Sequence, residues 1–307
     1  MLTSEESSTR LPYASCVSDS ARPQSPLARF SADRRWVTSY LLPLLVTLLA
    51  MGLYLYRLDS QSFWLDELGT LARAGWEGSW LDAVREPLRI HGNAKPPLSF
   101  LIAHLSLMLG EQVFLLRLPA ALFATLTIPA VYVLGRALFA GPVTLPEHRW
   151  TRSAQVGLLG ALLLALAPLH VRYAQEFRMY AMWVFLSTLS LYSFWRALRS
   201  RAGKWWIAFA LVNMLALYAH QFTLLNLAVM ALFGFWLLAR PSTRVQFPFR
   251  AWHLITALTA VVLAYAPMLP FLVRGLVGSE GLVEQPVQSW NLAALLISLR
   301  LFSGGYN

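Results

Sequence analysis

Seven apolar runs dominate this sequence: Trp36–Tyr56, Leu118–Phe139, Ala154–Val171, Tyr180–Ala197, Lys204–Ala219, Phe222–Ala239 and Trp252–Val273. A helix needs about 20 apolar residues to cross a hydrocarbon layer roughly 30 Å thick. Most of these runs approach that length, and Lys204–Ala219 is the shortest. Composition agrees: 57% of the residues are hydrophobic and 13% charged, with a mean hydropathy of +0.52. Soluble domains carry about 25% charged residues, so this chain cannot wrap its apolar surface in a polar one. Its one cysteine, Cys16, excludes a disulfide scaffold. The predicted fold is all-α, a polytopic integral membrane helical bundle.

The net charge of +10 would indicate a nucleic-acid partner in a soluble protein. Here it reads as topology, because cytoplasmic loops collect Lys and Arg, and no nucleic acid is expected. Residues 1–35 form a polar tail with five arginines, too long and too mixed for a signal peptide. Pro96–Leu109 is apolar but short, as interfacial helices are. If it does not cross, the tail and the links Arg136–Arg152, Arg196–Lys204 and Arg240–Arg250 share one side with 15 of the 25 basic residues. If it crosses, ten of those basic residues move outside, against the usual bias. The expected plan is therefore a cytoplasmic tail (1–35) and a membrane module (36–307). The module has seven spans, a long outer loop at 57–116, and the start of an eighth apolar segment at Asn291–Phe302. Further outer links fall near Arg172–Met179, His220–Gln221 and Arg274–Trp290.

Ionisable residues at membrane depth or at helix ends are costly, and are functional candidates for that reason. Asp66 and Glu67 follow the first run, among Phe63, Trp64 and Leu65. A half-buried carboxylate there can serve as a general base; the plainer reading is a helix start. Lys95 stands before Pro96-Pro97 at a helix entrance, placed for a phosphate at headgroup level, or simply snorkelling. Arg117, opening Arg-Leu-Pro, has the same two readings. Arg172, Glu176 and Arg178 crowd a very short link, as reacting groups or as a Glu176 pair with either arginine. His220 sits at another such junction, where a lone histidine is more often a structural hydrogen-bonder.

The order of these pieces resembles the GT-C superfamily of integral-membrane glycosyltransferases. The nearest branch is the family 39-type lipid-linked sugar transferases, related to protein O-mannosyltransferases and lipid A aminoarabinose transferases. The motifs that carry the likeness are Trp64-Leu-Asp66-Glu67, Lys95-Pro-Pro-Leu98, Arg117-Leu-Pro119 and Gln175-Glu-Phe-Arg-Met-Tyr180, within residues 36–307. The resemblance implies interfacial helices in the first outer loop and an active site on the outer, periplasmic face of the plasma (inner) membrane. It implies an inverting transfer of a sugar from a polyprenyl-phosphate donor to a glycan, lipid or protein acceptor. Asp66 would be the general base, with Glu67 supporting it and Glu176 a second catalytic acid. Lys95 would contact the lipid phosphate, with Arg117, Gln175, Arg178, Tyr180 and His220 as further substrate-binding positions. A D-x-D metal motif is absent, which leaves dependence on a divalent metal open, and no other cofactor is called for. Members of this superfamily carry more membrane helices, so the chain reads as a fragment or a short form. The rival expectations are a transporter or flippase of a lipid-linked substrate, which should show inverted repeats, and an inactive membrane scaffold.

Overall fold

The structure, a computed structural model, describes residues 36–75, 96–140, 148–270 and 273. Every regular element among them is helical. A π-helical turn at Val37–Leu41 runs into α1 (Leu42–Leu55). There follow α2 (Leu65–Ala74), α3 (Leu98–Leu109), α4 (Val113–Phe139), α5 (His148–Ala165), α6 (Pro168–Ala174), α7 (Tyr180–Leu198), α8 (Lys204–Ala219), α9 (Thr223–Leu238) and α10 (Ala251–Tyr265). The chain is a membrane protein, and its surface says so: Leu45 is 50% exposed, Leu263 67% and Leu232 71% on helices with almost no charge. Such a skin is stable only against lipid or more protein.

Among the described residues two single helices are long and apolar enough to cross a bilayer, Val113–Phe139 and Ala251–Met268, the latter being α10 with a short 3-10 extension. The pair Arg152–Ala165 and Pro168–Ala174, bent by 64°, makes a third where the two pieces count as one span. The bend falls just before Pro168, whose ring disfavours helical geometry in the preceding residue. The other apolar helices, Ser39–Leu55, Lys204–Ala219 and Thr223–Leu238, are shorter. α3 has 12 residues, about 18 Å at 1.5 Å per residue, well short of the bilayer core. The expected eighth segment, the 274–290 link, the tail and Lys95 lie outside the described residues.

The main helices run back and forth between two ends. α1, α6 and α8 finish where α2, α4, α7 and α9 begin; the opposite end holds the links α4–α5, α7–α8 and α9–α10. Small residues let the first layer close. A Cβ on Gly135 of α4 would stand 2.7 Å from the Gly157 Cα of α5, and one on Gly157 would stand 2.5 Å from the Tyr132 carbonyl oxygen. Backbones approach this closely in membranes because packing replaces the absent hydrophobic drive. Ala50, Ala120, Ala124, Ala161 and Ala165 fill the same α1–α4–α5 seam. The second layer, α7–α10, packs larger groups: Phe194, Trp206, Phe209, Leu254 and Tyr265.

Candidate active site

α2 opens on Leu65, so Asp66 and Glu67 occupy its first turn, where the positive end of the helix dipole favours acids. The two neighbours point to opposite fates. Glu67 is fully buried and Asp66 is half exposed at its side chain. Glu67 Oε2 accepts from the Trp64 N–H at 3.4 Å, reaching back over the helix start. Arg117 of α4 grips the same carboxylate with both edges, Nε to Oε1 at 3.0 Å and NH2 to Oε2 at 2.8 Å. The Phe177 N–H donates to Oε1 at 2.6 Å.

Arg117 is itself buried. Its NH1 donates to the Leu58 and Gln61 carbonyls at 3.0 and 3.1 Å, and its NH2 also reaches the Ser62 carbonyl at 3.4 Å. The chain leaves α1 through Arg57, at a φ of 54°, a left-handed turn unusual outside glycine, just before the Leu58 carbonyl that Arg117 holds. A guanidinium has five N–H donors, and all five of these have protein partners. Arg117 and Glu67 thus fasten the loop after α1, the start of α2, and the link before α7 to α4.

Arg178 is the second hub. Its NH2 lies 3.5 Å from Asp66 Oδ2. Its NH1 donates to the Asp66 carbonyl at 3.2 Å and to Thr70 Oγ1 at 3.3 Å, and NH2 donates to the Tyr180 hydroxyl at 3.4 Å. Its Nε is buried without a partner among the described residues. Arg178 lines a narrow crevice with Thr70, Ser99, Phe100, Phe177 and Met182. Thr70 was not singled out in the sequence, although its i+4 spacing from Asp66 puts both on one face of α2.

A wider cleft of about 780 Å³ opens on the other side of the Glu67–Arg117 pair. It is bounded by Trp64, Leu166, Leu169, Arg172, Gln175 and Glu176. Glu176 is buried, and Arg172 Nε donates to its Oε1 at 2.8 Å, one of the two self-contained pairs the sequence allowed. Its other oxygen has no partner among the described residues. Burial raises the Glu176 pKa above the usual carboxylate value; Arg172 opposes that shift, and the nearby Glu67 adds to it. Gln175 does structural work: its Nε2 donates to the carbonyls of Leu53, Tyr54 and Tyr56 at 3.4, 3.3 and 3.0 Å, satisfying the end of α1.

His220 stands at the rim of this end in an aromatic cluster. Its ring centroid lies 4.8 Å from Phe222, 5.1 Å from Trp183 and 6.0 Å from Tyr180. Its Nδ1 accepts from the Phe222 N–H at 3.1 Å. Burial, reinforced by the charge of Arg178, lowers its pKa. The structure therefore gathers Asp66, Glu67, Arg117, Gln175, Glu176, Arg178, Tyr180 and His220 at one end of the bundle. Asp66 lines neither cavity directly and is joined to the narrow crevice through Arg178. Among the described residues no three His, Cys, Asp or Glu side chains come together to hold a metal ion.

A family model described as dolichyl-phosphate-mannose-protein mannosyltransferase matches residues 94–271, more than half of the chain. The matched stretch takes in Arg117, Gln175–Tyr180 and His220, and begins after Asp66 and Glu67. No curated protein matches the chain.

Proposed function

The chain belongs to the dolichyl-phosphate-mannose-protein mannosyltransferase family, a glycosyltransferase family with lipid-linked sugar donors, and from that premise we propose that it moves a sugar from a polyprenyl phosphate to an acceptor hydroxyl in one inverting step. Asp66 takes the acceptor proton as the acceptor oxygen attacks the anomeric carbon. The bond from that carbon to the phosphate oxygen breaks, and the phosphate leaves with the electron pair. The observation that carries this reading is the contrast between the paired acids. Glu67 is sealed in an ion pair, whereas Asp66 offers an accessible carboxylate 3.5 Å from a buried arginine. Arg178 holds Asp66 in place, and its unpartnered Nε is a donor for an oxygen entering the crevice.

Negative charge grows on the phosphate as the bond breaks, and fixed cations stabilise it best where water is scarce. Lys95 is assigned this task together with Arg178. The helix that follows Lys95 in sequence presents Ser99 and Phe100 to the crevice that Arg178 lines. Arg117 has no donor left for substrate, so it and Glu67 are positioning residues. The wide cleft joins apolar walls to Arg172 and Glu176, which suits a molecule that is part lipid and part sugar phosphate. An outward-facing site is supported by charge. Among the described residues the opposite end carries Arg136, Arg152, Arg196, Arg199, Arg201, Lys204, Arg240, Arg244 and Arg250, against Arg57, Arg73, Arg117, Arg172 and Arg178 at the site end.

The test is transfer or donor hydrolysis in proteoliposomes, with a panel of polyprenyl-phosphate sugars. Turnover of one donor, lost in Asp66→Asn, supports the reading. Transbilayer movement of the donor without bond cleavage would replace it with a flippase.

A further inference from the structure

The end of the bundle away from Asp66 holds a cavity of about 380 Å³ lined by Arg201, Pro248, Arg250, Trp252 and His253. Its two arginines come from different links, Arg201 from the turn between α7 and α8 and Arg250 from the residue that precedes α10. Neither guanidinium has an acidic partner among the described residues. No Asp or Glu occurs anywhere between Glu176 and Glu280, so α7–α10 and their links bring no acid to the cavity. Two like charges converging on one hollow repel each other unless an anion enters.

The third polar group is held in place. His253 stacks on Trp252, at 3.8 Å between centroids, and lies parallel to the buried Trp206 at 6.2 Å and 8°. Its Nδ1 accepts from the Arg250 N–H at 3.3 Å. A neutral imidazole accepting at Nδ1 carries its proton on Nε2, so a donor remains. The start of α10 adds the positive end of a 15-residue helix to the same place. An exposed tryptophan at the rim suits the headgroup level of a bilayer.

We propose that Arg201, Arg250 and His253 form a binding site for a phosphate-ester anion, at the opposite end of the bundle from the transfer site and independent of it. The ligand chemistry is a singly charged phosphate diester or a phosphate monoester, and a forked guanidinium pair matches either. An anionic lipid headgroup and a soluble phosphate are the two possible sources.

The test uses the purified full chain in zwitterionic detergent and reads its thermal midpoint. Phosphatidylglycerol, phosphatidylcholine and inorganic phosphate are the three probes. The variants are Arg201→Gln/Arg250→Gln, Arg250→Gln alone, and Arg244→Gln as an exposed basic control outside the cavity. The expected result is a midpoint raised by phosphatidylglycerol and not by phosphatidylcholine, with a response at least halved in Arg250→Gln, nearly abolished in the double variant, and retained in Arg244→Gln. A response to inorganic phosphate with the same variant pattern identifies the source as a soluble phosphate, and the site stands. Equal losses in all three variants would reduce the effect to diffuse surface charge and overturn the proposal, as would a double variant that responds like the wild type. All the variants alter exposed arginines without acidic partners among the described residues, so each should fold, and the midpoint without added ligand checks this directly.

Discussion

Arg117 and Glu67 lie 50 residues apart in sequence and meet through two hydrogen bonds, 3.0 and 2.8 Å, with both side chains withdrawn from solvent. Mutual attraction in a dry setting does not by itself repay the desolvation of two charges. What completes this pair is the set of backbone groups around it, the carbonyls of Leu58, Gln61 and Ser62 on the arginine and the N–H groups of Trp64 and Phe177 on the glutamate. These belong to two separate stretches of chain, residues 58–64 and the link before α7, and Arg117 itself to a third. The pair therefore sets where α2 sits over α4, and with it where Asp66 stands.

The two neighbouring acids should respond oppositely to removal of charge. Glu67→Gln leaves Arg117 buried without a counter-ion, a class of change that costs about 3–5 kcal/mol. Asp66→Asn removes a half-exposed charge whose contact with Arg178 is 3.5 Å long, and should change stability by less than about 1 kcal/mol. Thermal unfolding of both variants in one detergent checks this. Equal midpoints would mean that the Glu67–Arg117 clasp contributes nothing to the fold.

Activity should invert that order. Asp66→Asn is expected to lower transfer by at least about 10²-fold, since a general base contributes roughly 10²–10⁴-fold, while binding of the lipid donor stays close to wild type. A single-turnover assay beside a donor-binding assay separates the two. Transfer near the wild-type rate in Asp66→Asn would return Asp66 to the role of a helix-start residue.

Much of this was readable in the sequence because a bilayer imposes a length and a polarity on what crosses it. Apart from α2, the helices of the described residues follow the apolar runs, and the short α3 falls on the run too short to cross. The site residues were legible one by one, since charges next to apolar runs stand out. Their division of labour was not. Asp66 and Glu67 are chemically similar and adjacent, and only the arrival of Arg117 and the Phe177 N–H from distant parts of the chain tells the sealed acid from the accessible one. Arg117 looked like a phosphate ligand for the same reason: nothing local shows that three carbonyls from the loop after α1 would occupy its donors. Gln175 lines the wide cleft and also satisfies the end of α1, and nothing local announces that second contact, which spans more than 100 residues.

Stability should fall on acidification through His220. Burial and the Arg178 charge hold its folded pKa below the ordinary 6.5. Below pH 6.5 the unfolded chain takes up a proton that the folded histidine refuses, so this contribution is complete above pH 6.5 and is lost as the pH drops towards the folded value. His220→Gln keeps an acceptor for the Phe222 N–H and cannot titrate. The difference in thermal midpoint between wild type and His220→Gln should therefore shift in favour of the variant from pH 7 to pH 5. A difference that is the same at both pH values would show that His220 titrates alike in the folded and unfolded chain.

If Lys95 stabilises the departing phosphate, its charge acts more strongly in the transition state than on the bound donor. Lys95→Met keeps the apolar stem and deletes the cation. The expected outcome is a fall in kcat larger than any rise in KM for the donor, with partial recovery in Lys95→Arg, which retains charge but changes geometry. Rates are measured per mole of folded, monodisperse protein. A membrane anchor would leave that specific activity unchanged and lower only the yield.

The sidedness of the whole arrangement rests on charge and can be read chemically. With Cys16→Ser as background, single cysteines at positions 201 and 220 lie at opposite ends of α8, a 16-residue helix. One end gathers basic residues with no acid among the described residues, and the other holds all five of their acids. Basic links stay on the cytoplasmic side because Lys and Arg resist translocation, while Asp and Glu have little influence. An impermeant thiol reagent applied to intact cells should therefore label position 220 and spare position 201, and permeabilised cells should show both. Labelling of 201 from outside would place Asp66 in the cytoplasm. The transfer would then have to draw on donors presented at the inner face, and the basic cavity around Arg201 and Arg250 would face the exterior.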